Sequence, residues 1–253
     1  MIPHNPKRWS SAAARRLRQL AGNASSVDAA VLQIVEQLLK GVVCPPTDLD
    51  AILPRLQVVE HEARDDLAAS GALIRVGDKF KIVYSTLLPK SRKRWTIAHE
   101  LGHALFETTG RSPPRRGREL ERLCDMIAAE LLLPRALFTS RIQENVSLNQ
   151  ILKLADVFQT SVSATAIRCA ELCGVSVFET EVGNLRWGYG VVRKSSHLAS
   201  LGELAVVVRS ALDSEQGSEE VDLQVGNHRR RCLVEWKRVG SERRRIFMVR
   251  HAP

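Results

Sequence analysis

The stretch Arg94-Trp95-Thr96-Ile97-Ala98-His99-Glu100-Leu101-Gly102-His103-Ala104-Leu105-Phe106 constrains this chain more than any other. Ile97, Leu101 and Leu105 recur at helical spacing, and Gly110 is available as a stop. On that helix His99 and His103 are four residues apart, so both rings leave one face, one turn above the other. Two imidazole nitrogens so placed can meet one Zn²⁺ at about 2.0–2.1 Å. Glu100 is one step round the helix, off the ligand axis but within reach of a metal-bound water. A carboxylate there can take that water's proton and later pass it to a leaving amine. Two histidines on a helix can also be plain surface residues, so the spacing has meaning only with a third ligand.

The second helical pattern supplies one. In Glu119-Leu120-Glu121-Arg122-Leu123-Cys124-Asp125-Met126-Ile127-Ala128-Ala129-Glu130-Leu131-Leu132 the leucines and Ile127 form an apolar stripe, with Glu121 and Asp125 four apart beside it. Packed antiparallel to the first helix, this one can deliver Glu121 as the third ligand, with Glu130 the next candidate. Asp125, one turn on, can accept the second N–H of a ligating histidine and fix its tautomer. Two His, one Glu and one open position are a catalytic rather than a structural metal pattern. Zn²⁺ is the expected ion, with another divalent metal such as Mn²⁺ as the alternative.

Three segments together, Arg94 to His103, Glu121 to Asp125 and Ala128 to Pro134, resemble the ImmA/IrrE family of zinc metallopeptidases. That family carries an aromatic-T-x-A-H-E-x-G-H helix, then a glutamate helix ending in A-x-x-L-L-x-P, and the likeness runs over roughly residues 49 to 140. The resemblance implies a zincin-like domain in an intracellular endopeptidase that cleaves a transcriptional repressor or an antitoxin-like partner. By position it implies His99, His103 and Glu121 as zinc ligands and Glu100 as general base.

At 253 residues, 44% hydrophobic and 26% charged, the composition is that of a soluble globular chain with room for two or three small domains. No apolar run approaches a membrane span, and Met1-Ile-Pro-His-Asn-Pro-Lys-Arg lacks the apolar core of a signal peptide. A cytoplasmic location is expected, with no membrane partner. Cys44, Cys124, Cys169, Cys173 and Cys232 are odd in number and scattered, which argues for reduced thiols. The net charge of +9 gathers at Arg15-Arg16, Arg92 to Arg94, Arg115 to Arg118, Arg229 to Arg231 and Arg243 to Arg245. Such clusters attract nucleic acid or an acidic protein, though no interleaved aromatics mark a base-stacking platform.

In chain order, residues 7 to 22 read as a basic amphipathic helix with Ala12, Leu17 and Leu20 on one side. A helix from Ser26 or Val27 to Gly41 follows, and then a short helix from Asp48 to Leu53 capped by Thr47. Strands are expected at Leu56 to Glu60, Ala72 to Val76 and Lys79 to Tyr84, the last two joined by Gly77-Asp78. An edge strand of such a sheet can bind an extended substrate, but the sequence does not say which strand is the edge. Thr109 to Arg118 is a Pro- and Gly-containing loop, read either as a flap gripping an acidic substrate or as a plain connector. Ser147 with Gln150 opens a helical pair closed by Gly174 that resembles a helix-turn-helix. Its second helix offers only Ser163, Thr165 and Arg168 to read bases, so packing or partner recognition is favoured over DNA. Strands are then expected at Val175 to Val182, Leu185 to Arg193, Leu204 to Val208, Cys232 to Trp236 and Ile246 to Val249, with a flexible polar loop from Ser210 to Gly217.

The fold expected is α+β: an N-terminal helical extension (1–46), a zincin-like peptidase domain (47–140), a helix-turn-helix-like segment (141–175) and a β-rich, sensor-like C-terminal domain (176–253). The function expected is zinc-dependent cleavage of a protein partner. The alternative is a DNA-binding or protein-docking regulator whose metal site is not catalytic. For the group that stabilises the oxyanion, Tyr84, His197 and His228 are bare candidates.

Overall fold

Ser11 accepts the N–H of Ala14 on its hydroxyl and so opens helix α1 (Ala12–Leu20), and Ser26 does the same for α2 (Val27–Leu39) through Ala29. The computed structural model describes residues 10–109, 114–143, 145–182, 184–190, 202–225, 228–241 and 243–251. The chain falls into two units: one holds residues 5–140 and 156–161, the other 1–4, 141–155 and 162–253. It is an α+β protein.

In the first unit α1 buries Ala13, Ala14 and Leu17, while Leu20 stays exposed, so the apolar face is rotated from the one expected. The helix expected over Asp48 to Leu53 is absent. Asp48 accepts the N–H groups of Asp50 and Ala51 on its own carboxylate, and only a 3-10 turn, Leu53–Leu56, forms around Pro54. A short acidic side chain that binds nearby N–H groups competes with the helical ladder. Thr47 is buried and donates instead to the carbonyl of Leu131 at 2.6 Å.

Strands β1 (Val58–Arg64), β2 (Gly71–Val76) and β3 (Lys79–Ser85) form a sheet of order β1-β3-β2, with β1 parallel and β2 antiparallel to β3. Both β1 and β2 are edge strands, and β2 is the edge whose Gly71 and Ala72 line the cleft beside α3. The residues on one face of β2 follow the pleat: Gly71, Leu73 and Arg75 stand opposite Tyr84, Ile82 and Phe80, and exposed Arg75 lies over the Phe80 ring at 4.6 Å. Helix α3 (Lys90–Thr108) packs on this sheet and against α4 (Arg118–Leu132). Pro134 then opens the short α5 (Arg135–Thr139).

Helix α6 (Leu148–Phe158) starts at Ser147, which accepts from Gln150 N–H; the Gln150 amide turns to the Arg141 carbonyl rather than completing a capping box. In the second unit α7 (Val162–Cys173) lies on β4 (Ser176–Glu181). The sheet there runs β5-β4-β8-β7-β6 and is antiparallel throughout, with β5 (Asn184–Tyr189), β6 (Gln216–Val225), β7 (His228–Arg238) and β8 (Arg244–His251).

Two expectations fail in this unit. Leu204 to Val208 is not a strand but part of helix α8 (Glu203–Ser210), whose Leu204, Val207 and Val208, with Ala211 beyond its end, are buried against Phe178, Trp236 and Phe247. The spacing 204, 207, 208, 211 is helical, and tertiary packing overrides the β-propensity of three successive valines. The polar loop expected up to Gly217 is also shorter than read, since β6 begins at Gln216. Val221 and Leu223 alternate inward there, a short period hidden behind acidic neighbours.

Candidate metal and catalytic site

What brings α3 and α4 together is the absence of a side chain at Gly102. A Cβ there would lie 2.9 Å from the Cα of Cys124 and 3.1 Å from its Cβ, so the helices meet backbone to backbone. The side-chain pairs then run in opposite directions, His99 with Asp125 and His103 with Glu121, which makes the two helices antiparallel.

His99 Nε2 lies 3.3 Å from Glu121 Oε2, and His103 Nε2 lies 3.5 Å from Glu121 Oε1. Ligand atoms on the two rings and on Glu121 all fall within 4.8 Å of one another. Two ligands about 2.05 Å from one tetrahedral ion stand about 3.3 Å apart, so the spacing suits Zn²⁺ without moving a helix. His99 Nδ1 lies 3.0 Å from Asp125 Oδ1. With the proton on Nδ1 donated to Asp125, the Nε2 lone pair points to Glu121 and the shared space. Glu130 is not part of this group: its carboxylate accepts the N–H of Arg135 at 2.6 Å.

Glu100 is only 8% exposed yet lines the same cleft of about 290 Å³, beside His99, His103, Glu121, Arg116 and the start of β2. Burial lifts its pKa above the ordinary carboxylate value, against the charges of His99 and Arg116 and the N–H of Leu73, which donates to it. A basic carboxylate beside an open coordination position is suited to accepting a proton. Burial also works against a charge on His99, but the hydrogen bond and charge of Asp125, with Glu100 and Glu121, leave its pKa above the ordinary imidazole value. For His103 burial prevails over Glu121, and the pKa falls.

These residues sit in a segment matched by the model of a peptidase family: the IrrE N-terminal-like domain covers residues 68–170. Over that segment the chain carries a domain similar to that of the ImmA/IrrE family. That family is one of metallopeptidases, and a metal-dependent peptidase is the general class to which its IrrE-like domain points. No curated protein is significantly similar to the chain. Among solved structures, a Mycobacterium tuberculosis transcriptional regulator superposes with a TM-score of 0.55 at 15% identity, covering 94% of this chain and 79% of that one. At that identity the likeness is one of fold.

Of the oxyanion candidates, Tyr84 is buried under Lys93 and beside His61, away from the cleft wall. His228 is exposed on β7, and His197 lies outside the described residues. The residue missed by sequence reasoning is Arg116. It belonged to a run of loop arginines, and nothing in the run singled it out.

The other arginine clusters are largely occupied. Arg244 grips buried Glu179 through Nε at 2.9 Å, and Arg245 donates to the carbonyls of Ala211, Leu212 and Ser214. Arg229 pairs with Glu203, and Arg231 with Glu220. On α7, Ser163 donates to Glu179, Thr165 is fully buried, and Arg168, also buried, pairs with Glu171. None of these three side chains is presented for reading bases. Among the described residues no helix is long and apolar enough to cross a membrane.

Proposed function

We propose that the chain is a zinc-dependent endopeptidase that cuts a protein partner, a helix-turn-helix repressor or an antitoxin being the partner class the family resemblance favours. The observation that carries this reading is Glu100: buried, on the cleft wall, and beside the three candidate ligands without being one of them. A structural metal site has no use for a desolvated base at its open side.

In this reading His99, His103 and Glu121 hold the ion, and Asp125 fixes the tautomer and aim of His99. A divalent cation held there would supply the Lewis acid that polarises the scissile carbonyl and activates water. Glu100 would be the group that takes a proton from the attacking water and returns it to the amine nitrogen of the broken bond. The domain layout that goes with this is a zincin-like peptidase domain over 47–140, a helix-turn-helix-like segment over 141–175 and a sensor-like domain over 176–253. The setting is the cytoplasm.

The experiment is Glu100→Gln. The variant should keep its metal and its fold and lose cleavage by about 10²–10⁴-fold, the usual effect of removing a general base. Co-expression with candidate repressors should yield a fragment with the wild type and none with the variant. A Glu100→Gln protein that preserves every wild-type phenotype would transfer the function to the docking or DNA-binding alternative.

A further inference from the structure

A second pocket, of about 180 Å³, opens on the far side of His103, between Leu73, Arg75, Phe106, Glu107 and Arg116. His103 and Arg116 line both this pocket and the metal cleft. The two spaces lie side by side along β2: Gly71 and Ala72 line the cleft, Leu73 and Arg75 the pocket. Because β2 is a sheet edge, an extended chain laid along it advances about 3.3 Å per residue. A substrate side chain one or two positions from the bond held over Glu100 therefore falls at this pocket.

The chemistry of the walls says what that side chain is. Phe80, Phe106 and Leu120 beneath the pocket are at most 5% exposed, so they are already covered and offer little apolar surface. What the pocket presents is charge. Arg75 is neutralised by Glu107 at 3.2 Å and lies flat on Phe80. Arg116 is exposed and, among the described residues, has no carboxylate within salt-bridge distance. A guanidinium that acts on Glu100 only at a distance, with no ion pair among the described residues, thus stands over a pocket one or two residues from the reacting centre.

We propose that this pocket is a specificity subsite for an acidic side chain, glutamate or aspartate, held by Arg116. The inference rests on the peptidase reading above and deepens it. A carboxylate accepts the paired N–H donors of a guanidinium, while a lysine or arginine at that position meets like charge.

The test is digestion of an end-capped random peptide library by the zinc-loaded protein, with cut sites read by mass spectrometry. The wild type should enrich Asp and Glu about 3- to 10-fold at one position within two residues of the cut, the size of a partly exposed charge-assisted pair. Arg116→Ala should lose the enrichment, and Arg116→Glu should exchange it for Lys and Arg. Arg115→Ala removes the same charge one residue away and should keep it. A parallel arm measures binding of fluorescent Glu- and Gln-containing peptides to Glu100→Gln, where the Glu peptide should bind more tightly unless Arg116 is also replaced. If the wild type cleaves but shows no acidic preference, or Arg116→Glu retains one, the subsite falls and the peptidase stands. If Arg116→Ala slows every peptide equally with preference unchanged, Arg116 acts at the scissile bond and the subsite is refuted. If the wild type cleaves nothing that Glu100→Gln leaves intact, both readings fall together.

Discussion

Replacing Gly102 by alanine tests whether one missing methyl sets the metal geometry. The added Cβ would lie 2.9 Å from Cys124 Cα, where ordinary contact begins at 3.4 Å, so α4 has to yield by about 0.5 Å or more. Glu121 stands three residues before Cys124 and Asp125 one after, so both carboxylates move with the contact. The separations of 3.3 and 3.5 Å then open toward about 4 Å, beyond the span of two ligands on one tetrahedral ion. Stability is the poorer readout. Overpacking costs about 1–3 kcal/mol, and alanine in place of glycine within a helix returns about 1 kcal/mol. Metal affinity has no such compensation and should fall about 10- to 100-fold, as when a ligand loses its support. Chelator competition with Zn²⁺ measures it, with Gly117→Ala as control, since a Cβ at Gly117 meets nothing within 4 Å. A Gly102→Ala protein that binds Zn²⁺ as tightly as the wild type would refute the claim that this contact spaces the ligand helices.

Asp125→Ala should weaken Zn²⁺ binding about 10- to 100-fold while leaving a measurable site, checked by the same competition. In the metal-free protein Glu100 has a raised folded-state pKa, so its stabilising contribution is full below the unfolded value of 4.5 and is lost as pH rises through the raised one. Glu100→Gln should therefore gain on the wild type between pH 4 and 8 in urea denaturation, and a pH-independent difference would contradict this. The Cys169 thiol is pushed by burial to about 12, so at pH 8 only about one in ten thousand is thiolate. Mass-spectrometric mapping after brief alkylation should find exposed Cys173 modified first and buried Cys124 and Cys169 last. Arg245→Ala removes the guanidinium bonds to the Ala211, Leu212 and Ser214 carbonyls and should cost about 2–3 kcal/mol in denaturant melts. Arg229→Ala breaks an exposed pair and should cost under about 1 kcal/mol.

Helices α3 and α4, and the candidate ligands they carry, were legible because their pattern is periodic. Two histidines four apart and two acids four apart face each other only if each segment is a helix, so motif and secondary structure support one reading. The same economy failed where local and distant forces disagree. Val206 to Val208 look like a strand until Trp236 and Phe247, distant in sequence, supply the surface a helix can cover. Asp48 to Leu53 look like a helix until the Asp48 carboxylate takes the amides the helix would have used. Which of the loop arginines reaches the cleft, and that edge strand β2 lines it, were invisible for a different reason. Each is a relation between segments, set by how the sheet is ordered and where a loop returns, and no local pattern records it.

The edge position of β2 has a kinetic consequence. A sheet edge recognises main chain, and only a partner segment already extended can offer its N–H and C=O groups to it. A repressor whose cut site is folded into a helix would first have to open there. Where opening and closing are fast, each 1.4 kcal/mol of local stability in the partner lowers its accessible fraction about tenfold. On the proposed reading, the rate at which such a partner disappears would follow its own unfolding equilibrium as closely as the chemistry at Glu100. Any signal that loosens the partner, without touching this chain, would then be enough to start the cleavage.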